Sequence, residues 1–229
     1  LTFDAVLQQM SARNSTVLAE LDAEVNLPGL KQAGSMAQFF ACFTNLMDYP
    51  QPPERAYDEA YQTVLRMIER MKEEIQKAPQ ELALATGAQE ILDNDAAGKI
   101  SAFLTVEEGG ILNGRMERLH DLYDQGIRLI TLTWNYENCL GYPNSADPQV
   151  MGKGLKSFGV EVVEEMNRLG MLVDVSHLSD GGFWDVVRHS KKPFVASHSC
   201  VRDLCGHTRN LNKEMLKAVG EKGGAVGGN

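Results

Sequence analysis

Three ionisable residues stand at the ends of apolar runs that are typical of β-strands. Glu107 ends the run SAFLTVE, His177 ends MLVDVSH and His198 ends PFVASH. One histidine in such a position is commonly a hydrogen-bonded structural residue. Two imidazoles and a carboxylate from separate strands, however, form a set of nitrogen and oxygen ligands that suits Zn²⁺. The sequence therefore indicates a metal site, provided that the fold brings these strand ends together.

Strand periodicity predicts where the two histidines point. Alternate residues of a strand face the same side, so we expect Val173, Val175 and His177 to share one face. The same alternation is expected in the run that ends at His198. Both imidazoles would then lie at the carboxyl end of a strand, on the side opposite the intervening residues.

Apolar runs alternate with amphipathic helical segments along the chain. The predicted strands are Ala37–Thr44, Ser101–Glu107, Ile127–Thr133, Met171–His177, Pro193–His198 and Gly223–Gly228. Between the first two, a long helix is expected to start at Pro52–Pro53 and to end before Pro79. Strands that alternate with helices point to a parallel sheet, either open or closed into a barrel. In a (β/α)8 barrel the carboxyl ends of the strands meet at one face, so the three candidate ligands would converge.

Composition limits the functional class. The 229 residues are 43% hydrophobic and 23% charged, which is typical of a globular chain with a sizeable core. The formal net charge of −9 argues against a nucleic-acid partner, since phosphate binding relies on clustered Lys and Arg. No apolar run reaches the length of a membrane span. The 4 cysteines show no paired spacing, so we expect reduced thiols and a cytoplasmic location; a metal role for Cys200 and Cys205 is a weaker alternative.

Two further residues have positions from which they could contact a substrate. Arg209 lies in the loop segment HTRN that follows His198. A guanidinium there can hold a substrate carboxylate through two parallel hydrogen bonds, although a surface arginine is the simpler interpretation. Trp134 follows a predicted strand end and is expected either to pack in the core or to line the pocket.

Several of these segments together resemble the membrane dipeptidase (renal dipeptidase) family of zinc peptidases. The resemblance is carried by KGLKSFGVEVVEEMNRLGMLVDVSHLSDGGFWDVV, by KKPFVASHSCVRDLCGHTRNLNKEML, and by LTVEEGG and LYDQGIRLITLTWNYENCLG, which are similar to the bacterial branch. It implies an α/β fold, a (β/α)8 TIM-type barrel of the metal-dependent hydrolase kind. It also implies two zinc ions and hydrolysis of dipeptides by water that the metals activate.

The resemblance assigns roles to named residues. In that family a strand-ending glutamate bridges both metals, and Glu107 matches it; Glu108 is the alternative register, because the motif reads V-E-E-G-G. The two histidine ligands of the second metal match His177 and His198. The arginine that binds the substrate carboxylate matches Arg209. Members of the family often dimerise, so a homodimer is a candidate assembly beside the dipeptide substrate.

Two family features lack a counterpart in the sequence. The family's His-x-Asp pair for the first metal precedes these motifs, whereas no histidine precedes His120. The family's catalytic aspartate lies on a later strand, which we expect beyond Asn229, so no catalytic residue is assigned within the chain. We therefore expect residues 1–229 to form a single barrel domain that is incomplete at both ends. The alternatives to a zinc dipeptidase are another metal-dependent amidohydrolase, such as a lactonase or cyclic amidase, and a catalytically incomplete fragment with half the metal site.

Overall fold

A parallel β-sheet with helices between its strands organises the chain. The computed structural model describes residues 26–49 and 53–228. Its strands are β1 (Ala37–Phe43), β2 (Leu82–Leu84), β3 (Ile100–Glu107), β4 (Leu129–Thr131), β5 (Leu172–Asp174), β6 (Val195–Ala196) and β7 (Ala225–Val226). Its helices are α1 (Leu27–Gln32), α2 (Pro53–Lys77), α3 (Ala88–Ala96), α4 (Met116–Asp124), α5 (Pro148–Met151), α6 (Ser157–Leu169), α7 (Asp180–His189) and α8 (Lys213–Glu221). Short 3-10 helices, Leu46–Asp48 and Gly109–Leu112, follow β1 and β3.

The sheet curls into part of a TIM-type barrel, which confirms the predicted fold class. Its strands lie in the order β1-β3-β4-β5-β6-β7, all paired in parallel, and β2 pairs with the first residues of β3. Helices connect successive strands on the convex side, as the alternating sequence pattern predicts. The concave side is therefore left to form a cavity.

Four neighbouring strands end on a single row. Phe43 pairs with Glu107, Glu107 pairs with Thr131, and Thr131 pairs with Asp174. Each of these residues is the last residue of its strand. The row defines the carboxyl edge of the sheet and places a glutamate and an aspartate on it.

The two faces of β3 separate the hydrophobic core from the cavity. Ala102, Leu104 and Val106 are fully buried and belong to the core cluster. Thr105 and Glu107, which alternate with them, line the cavity. This alternation gives Glu107 its direction.

Helix α2 covers the sheet through one apolar stripe. Val64, Met67, Ile68 and Met71 are almost entirely buried, at the spacing of a helix face. The helix begins at Pro53 and ends before Pro79, as predicted, while Pro52 lies outside the described residues. In the part of the chain that the structure describes, no helix is long and apolar enough to cross a membrane.

The structure differs from the sequence-based prediction mainly in short elements. Strand β2 and helix α3 were not predicted, because β2 has only 3 residues and α3 buries none of its side chains. The predicted strand Met171–His177 is reduced to β5, and Pro193–His198 to β6. The last two residues of each run, Ser176 and His177 in one and Ser197 and His198 in the other, form turns.

Candidate metal centre

A cavity of roughly 620 Å³ opens on the concave side of the sheet. Its apolar lining includes Phe39, Ala41, Phe43, Leu129 and Trp134. Its ionisable lining consists of Glu107, His177, His198 and Arg209. The structure thus brings all four predicted site residues to one cavity, together with Trp134, which lines the cavity and packs its ring 4.8 Å from that of Phe43.

His177 reaches the cavity by a turn rather than by strand alternation. The strand ends at Asp174, and the Asp174 carboxylate accepts a hydrogen bond from the backbone N–H of Ser176 at 3.0 Å. The chain then bends, and His177 adopts a left-handed φ of 66°. The prediction that Val173, Val175 and His177 share a face is therefore wrong, since both valines belong to the core cluster.

His198 lies on a similar turn after β6. Its backbone N–H donates to Ser176 Oγ at 3.1 Å, which joins the turn after β6 to the turn after β5. Strand β6 ends at Ala196, so Ser197 and His198 both reach the cavity wall. These cross-connections hold the two imidazoles next to each other.

The ligand-type atoms of three side chains converge on one point. His177 Nε2 lies 3.2 Å from Glu107 Oε1, and His198 Nε2 lies 3.5 Å from the same oxygen. The two Nε2 atoms are 3.0 Å apart. Among the described residues, these three form the only group of three such side chains close enough to hold a metal ion together.

The electrostatics favour a charged carboxylate facing a neutral imidazole. Burial alone would raise the pKa of Glu107, but hydrogen bonds and charge from His177 and His198 outweigh it and hold the pKa at about 2. Burial lowers the pKa of His177, with Glu107 opposing that effect. A neutral imidazole keeps a lone pair on one ring nitrogen, which is the form that binds a metal.

The ring nitrogens that face away from the cluster have partners. His177 Nδ1 lies 3.1 Å from Asn135 Oδ1, and His198 Nδ1 lies 2.7 Å from Ser197 Oγ. Such bonds orient a metal-binding imidazole and select its tautomer. Sequence reasoning missed these partners and missed Asp174, which bonds Ser197. An acidic residue inside the apolar run MLVDVSH was the available signal, because a buried acid usually has a specific role.

Glu108 points away from the cluster into the protein. Its side chain is fully buried and accepts hydrogen bonds from Gly110 N, Trp134 N and Asn138 Nδ2. Burial raises the pKa of Glu108 to about 7. Its φ of 85° turns the chain directly after β3. Of the two adjacent glutamates, only Glu107 faces the cavity, so the alternative register is not the one the structure adopts.

Arg209 lies at the rim of the cavity and is half-buried. Its Nη2 donates to the carbonyl oxygen of His198 at 3.1 Å, which fixes the guanidinium beside the histidine. Its Nη1 is buried and has no hydrogen-bond partner among the described residues. An unpaired buried donor is costly, so the described residues leave the hydrogen-bonding capacity of Arg209 partly unsatisfied.

The other histidines and the cysteines lie outside the three-residue cluster, although His207, Cys200 and Cys205 line a second pocket together with His198 and Arg209. His120 pairs with Glu165 on the exposed surface, and His189 lies 3.5 Å from Glu164. All four cysteines are free thiols in the structure. Cys200 and Cys205 belong to no group of three metal-binding side chains among the described residues.

Comparison with known proteins agrees with the sequence resemblance. The sequence model of a family described as membrane dipeptidase (peptidase family M19) matches residues 2–229. The structure of a family M19 metallopeptidase, dipeptidase AC, superimposes with a TM-score of 0.87 at 26% sequence identity. The match covers 99% of this chain and 69% of the dipeptidase chain. A metallopeptidase from Rhodobacter sphaeroides, solved with a phosphinate mimic of the dipeptide L-Ala-D-Ala, gives 0.85 at 26% identity, with 99% and 71% covered.

One curated relative is matched over part of its length. It is an uncharacterized protein in the pqqA 5′ region of Klebsiella pneumoniae, 36% identical over 130 residues. The match covers 54% of this chain and 47% of that protein, so the chain spans about half the length of this relative.

Proposed function

The chain belongs to the membrane dipeptidase family, peptidase family M19, and from that premise we propose that Glu107, His177 and His198 hold a zinc ion in a dipeptide-hydrolysing enzyme. The observation that carries the proposal is the convergence of Glu107 Oε1 and two imidazole Nε2 atoms within 3.0–3.5 Å of one another. Zinc catalytic sites commonly use histidine nitrogen and carboxylate oxygen ligands.

The donor set fits zinc in number, type and spacing. Ligand atoms about 2.0–2.1 Å from a tetrahedrally bound Zn²⁺ lie roughly 3.3–3.4 Å from one another. The three separations in the cluster, 3.0, 3.2 and 3.5 Å, bracket that value. A set of three protein ligands would match the pattern of catalytic zinc sites, which keep a position for water or substrate, rather than that of structural sites with four protein ligands.

The chain's own residues orient and shield the reacting groups. A bound metal supplies Lewis acidity, which lowers the pKa of water toward 7 and polarises a carbonyl group. Glu107 contributes a carboxylate that remains charged at neutral pH. Phe43 and Trp134 provide an apolar wall beside the cluster, which limits the water that reaches it.

Arg209 is proposed to hold the terminal carboxylate of the substrate. The Arg209 side chain lines the cavity and is held beside His198, and a guanidinium binds carboxylates more specifically than an ammonium does. The dipeptide mimic bound to the Rhodobacter sphaeroides metallopeptidase supports a dipeptide as the substrate class. A single fixed carboxylate position near the cluster favours short substrates with a free C-terminus.

The proposal can be tested by zinc analysis together with a substrate panel. We expect about one equivalent of zinc per chain, since the described residues supply one group of three ligands; about two equivalents would contradict this inventory. A protein that also supplies the His-x-Asp pair and the catalytic aspartate should hydrolyse dipeptides in preference to lactones and cyclic amides. Preference for a lactone or cyclic amide would favour the amidohydrolase alternative, and zinc binding without turnover would favour an incomplete catalytic fragment.

A further inference from the structure

Asp174 is a fully buried carboxylate with four hydrogen-bond donors around it. Its Oδ1 accepts from the backbone N–H groups of Ser176 and Ser197, at 3.0 and 2.9 Å. Its Oδ2 accepts from Thr131 Oγ and Ser197 Oγ, both at 2.6 Å. Burying a charge is costly unless hydrogen bonds replace its hydration. These bonds therefore fix Asp174 between β4, β5 and the turn after β6.

Counting protons along these bonds assigns a direction to each one. A carboxylate can only accept, so the single proton of the Ser197 hydroxyl goes to Asp174 Oδ2. Ser197 Oγ also lies 2.7 Å from His198 Nδ1. Because the hydroxyl has no second proton, it accepts there, and His198 Nδ1 carries the N–H. The neutral imidazole then has its lone pair on Nε2.

We propose that Asp174 and Ser197 are positioning residues that hold His198 in the tautomer whose Nε2 can bind a metal. The inference rests on the proposed function, in which His198 is a ligand. Nε2 of His198 lies 3.0 Å from His177 Nε2 and 3.5 Å from Glu107 Oε1, so the lone pair is directed into the cluster. We call the hydrogen bonds from His198 Nδ1 to Ser197 Oγ and from Ser197 Oγ to Asp174 Oδ2 the relay. Without the relay, the His198 ring could carry its proton on Nε2, where it would block metal binding.

Asn135, the partner of His177, differs from the relay at His198 because its side chain can both donate and accept. His177 Nδ1 faces the side-chain amide of Asn135. An amide offers both a donor and an acceptor, whereas the relay at His198 ends on a carboxylate that can only accept. The direction of the His198 relay is therefore set by charge.

Ser197→Ala tests the relay, and Thr131→Val is its matched control. Both variants remove one hydroxyl that donates to Asp174 Oδ2 at 2.6 Å, but only Ser197 also contacts His198. Ser197→Thr restores a hydroxyl and serves as the rescue. Asp174→Asn is a second variant, because an amide N–H donating to Ser197 would reverse the relay. The readouts are the His198 tautomer in the metal-free full chain, from long-range ¹H–¹⁵N NMR, and zinc affinity from competition with a chromophoric chelator.

We expect the wild type and Thr131→Val to show the Nδ1–H tautomer of His198, and Ser197→Ala and Asp174→Asn to populate the Nε2–H form. Zinc affinity should fall about 10–100-fold in Ser197→Ala, as is typical when the outer partner of a ligand is lost, and recover in Ser197→Thr. An unchanged tautomer in Ser197→Ala, or an equal loss of affinity in Thr131→Val, would overturn the proposal.

The same measurements separate this inference from the proposed function. If His198→Ala binds zinc as tightly as the wild type, then His198 is not a ligand and the metal assignment fails. The tautomer comparison in metal-free protein still decides whether Asp174 and Ser197 direct the ring, because it does not depend on zinc.

Discussion

His177 Nε2 lies 3.0 Å from His198 Nε2, although the two histidines follow different strands. The other nitrogen of each ring already has a partner, Asn135 for His177 and Ser197 for His198. When both Nε2 atoms carry lone pairs, they and the carboxylate oxygen repel one another unless a cation or a shared proton lies between them. The arrangement is therefore matched to a positive ion.

Replacing either histidine should weaken zinc binding strongly. We expect His177→Gln to lose more than the roughly 10–100-fold in affinity that loss of an outer partner costs, because a ligand atom itself is removed. Competition with a chromophoric chelator measures the change. His120→Gln, on the exposed surface, is the control and should bind zinc like the wild type. Equal affinity of the two variants would contradict the ligand assignment.

Arg209→Lys should raise KM for dipeptides about 10–100-fold, the cost of losing charge-assisted hydrogen bonds worth roughly 1.5–3 kcal/mol, with kcat little changed. An ammonium cannot reproduce the two-pronged contact of a guanidinium. A dipeptide amide, which lacks the terminal carboxylate, should be hydrolysed equally by both proteins. Arg188→Lys, at an exposed position, is the control. If Arg209→Lys impaired hydrolysis of the dipeptide amide as much as hydrolysis of the free dipeptide, Arg209 would not be the residue that binds the terminal carboxylate.

Glu108→Gln should lower the free energy of unfolding by about 1–3 kcal/mol, the usual cost of an unsatisfied buried polar group. The Glu108 carboxylate accepts from Trp134 N and from Asn138 Nδ2 through different oxygens. An amide would have to direct its NH₂ group at one of these donors. Urea denaturation measures the change, and Glu161→Gln on the exposed face of α6 should be neutral. An unchanged midpoint for Glu108→Gln would refute this account.

Two helical glycines should respond to alanine in opposite directions. A Cβ at Gly159, in α6, would overlap the carbonyl oxygen of Leu140, so Gly159→Ala should destabilise the protein by at least about 1–3 kcal/mol. Gly220, in α8, has open space around it, and Gly220→Ala should stabilise by about 0.5–1 kcal/mol. Thermal unfolding compares the two. Similar shifts of the same sign would show that the contact with Leu140 does not set the glycine requirement.

The cysteines should differ sharply in reactivity. Cys205 is exposed, whereas Cys42 is fully buried and burial raises its thiol pKa to about 12. Only the thiolate reacts, so at pH 8 a disulfide reagent should label Cys205 rapidly and Cys42 only after unfolding. Cys205→Ser should remove the fast phase. A fast phase that persists in this variant would place the reactive thiol elsewhere.

The sequence predicted the parallel sheet and the convergence of Glu107, His177 and His198, because parallel strands place their carboxyl ends at one edge. It could not decide between Glu107 and Glu108, since a shift of one residue reverses the face of a strand. It placed His177 on the same strand face as Val173 and Val175, whereas His177 lies on the turn after β5. That turn depends on a hydrogen bond from Ser176 N to Asp174. Such side-chain contacts have no periodic signal.

Strand β2 and helix α3 were missed for a different reason. Helix α3 buries none of its side chains and so carries no apolar stripe, and a strand of 3 residues is too short to show alternation. The signal for β2 lies in its neighbour: Leu82 pairs with Ile100, a contact that exists only in the assembled sheet.

The row formed by Phe43, Glu107, Thr131 and Asp174 also bears on how the chain acquires its site. These residues are distant in sequence and become neighbours only through parallel pairing, which is slow to form because long loops must close first. The ligand atoms can therefore meet only late in folding. In a refolding experiment, zinc binding should therefore occur later than helix formation. The time at which zinc binds would report when the native strand pairing is complete.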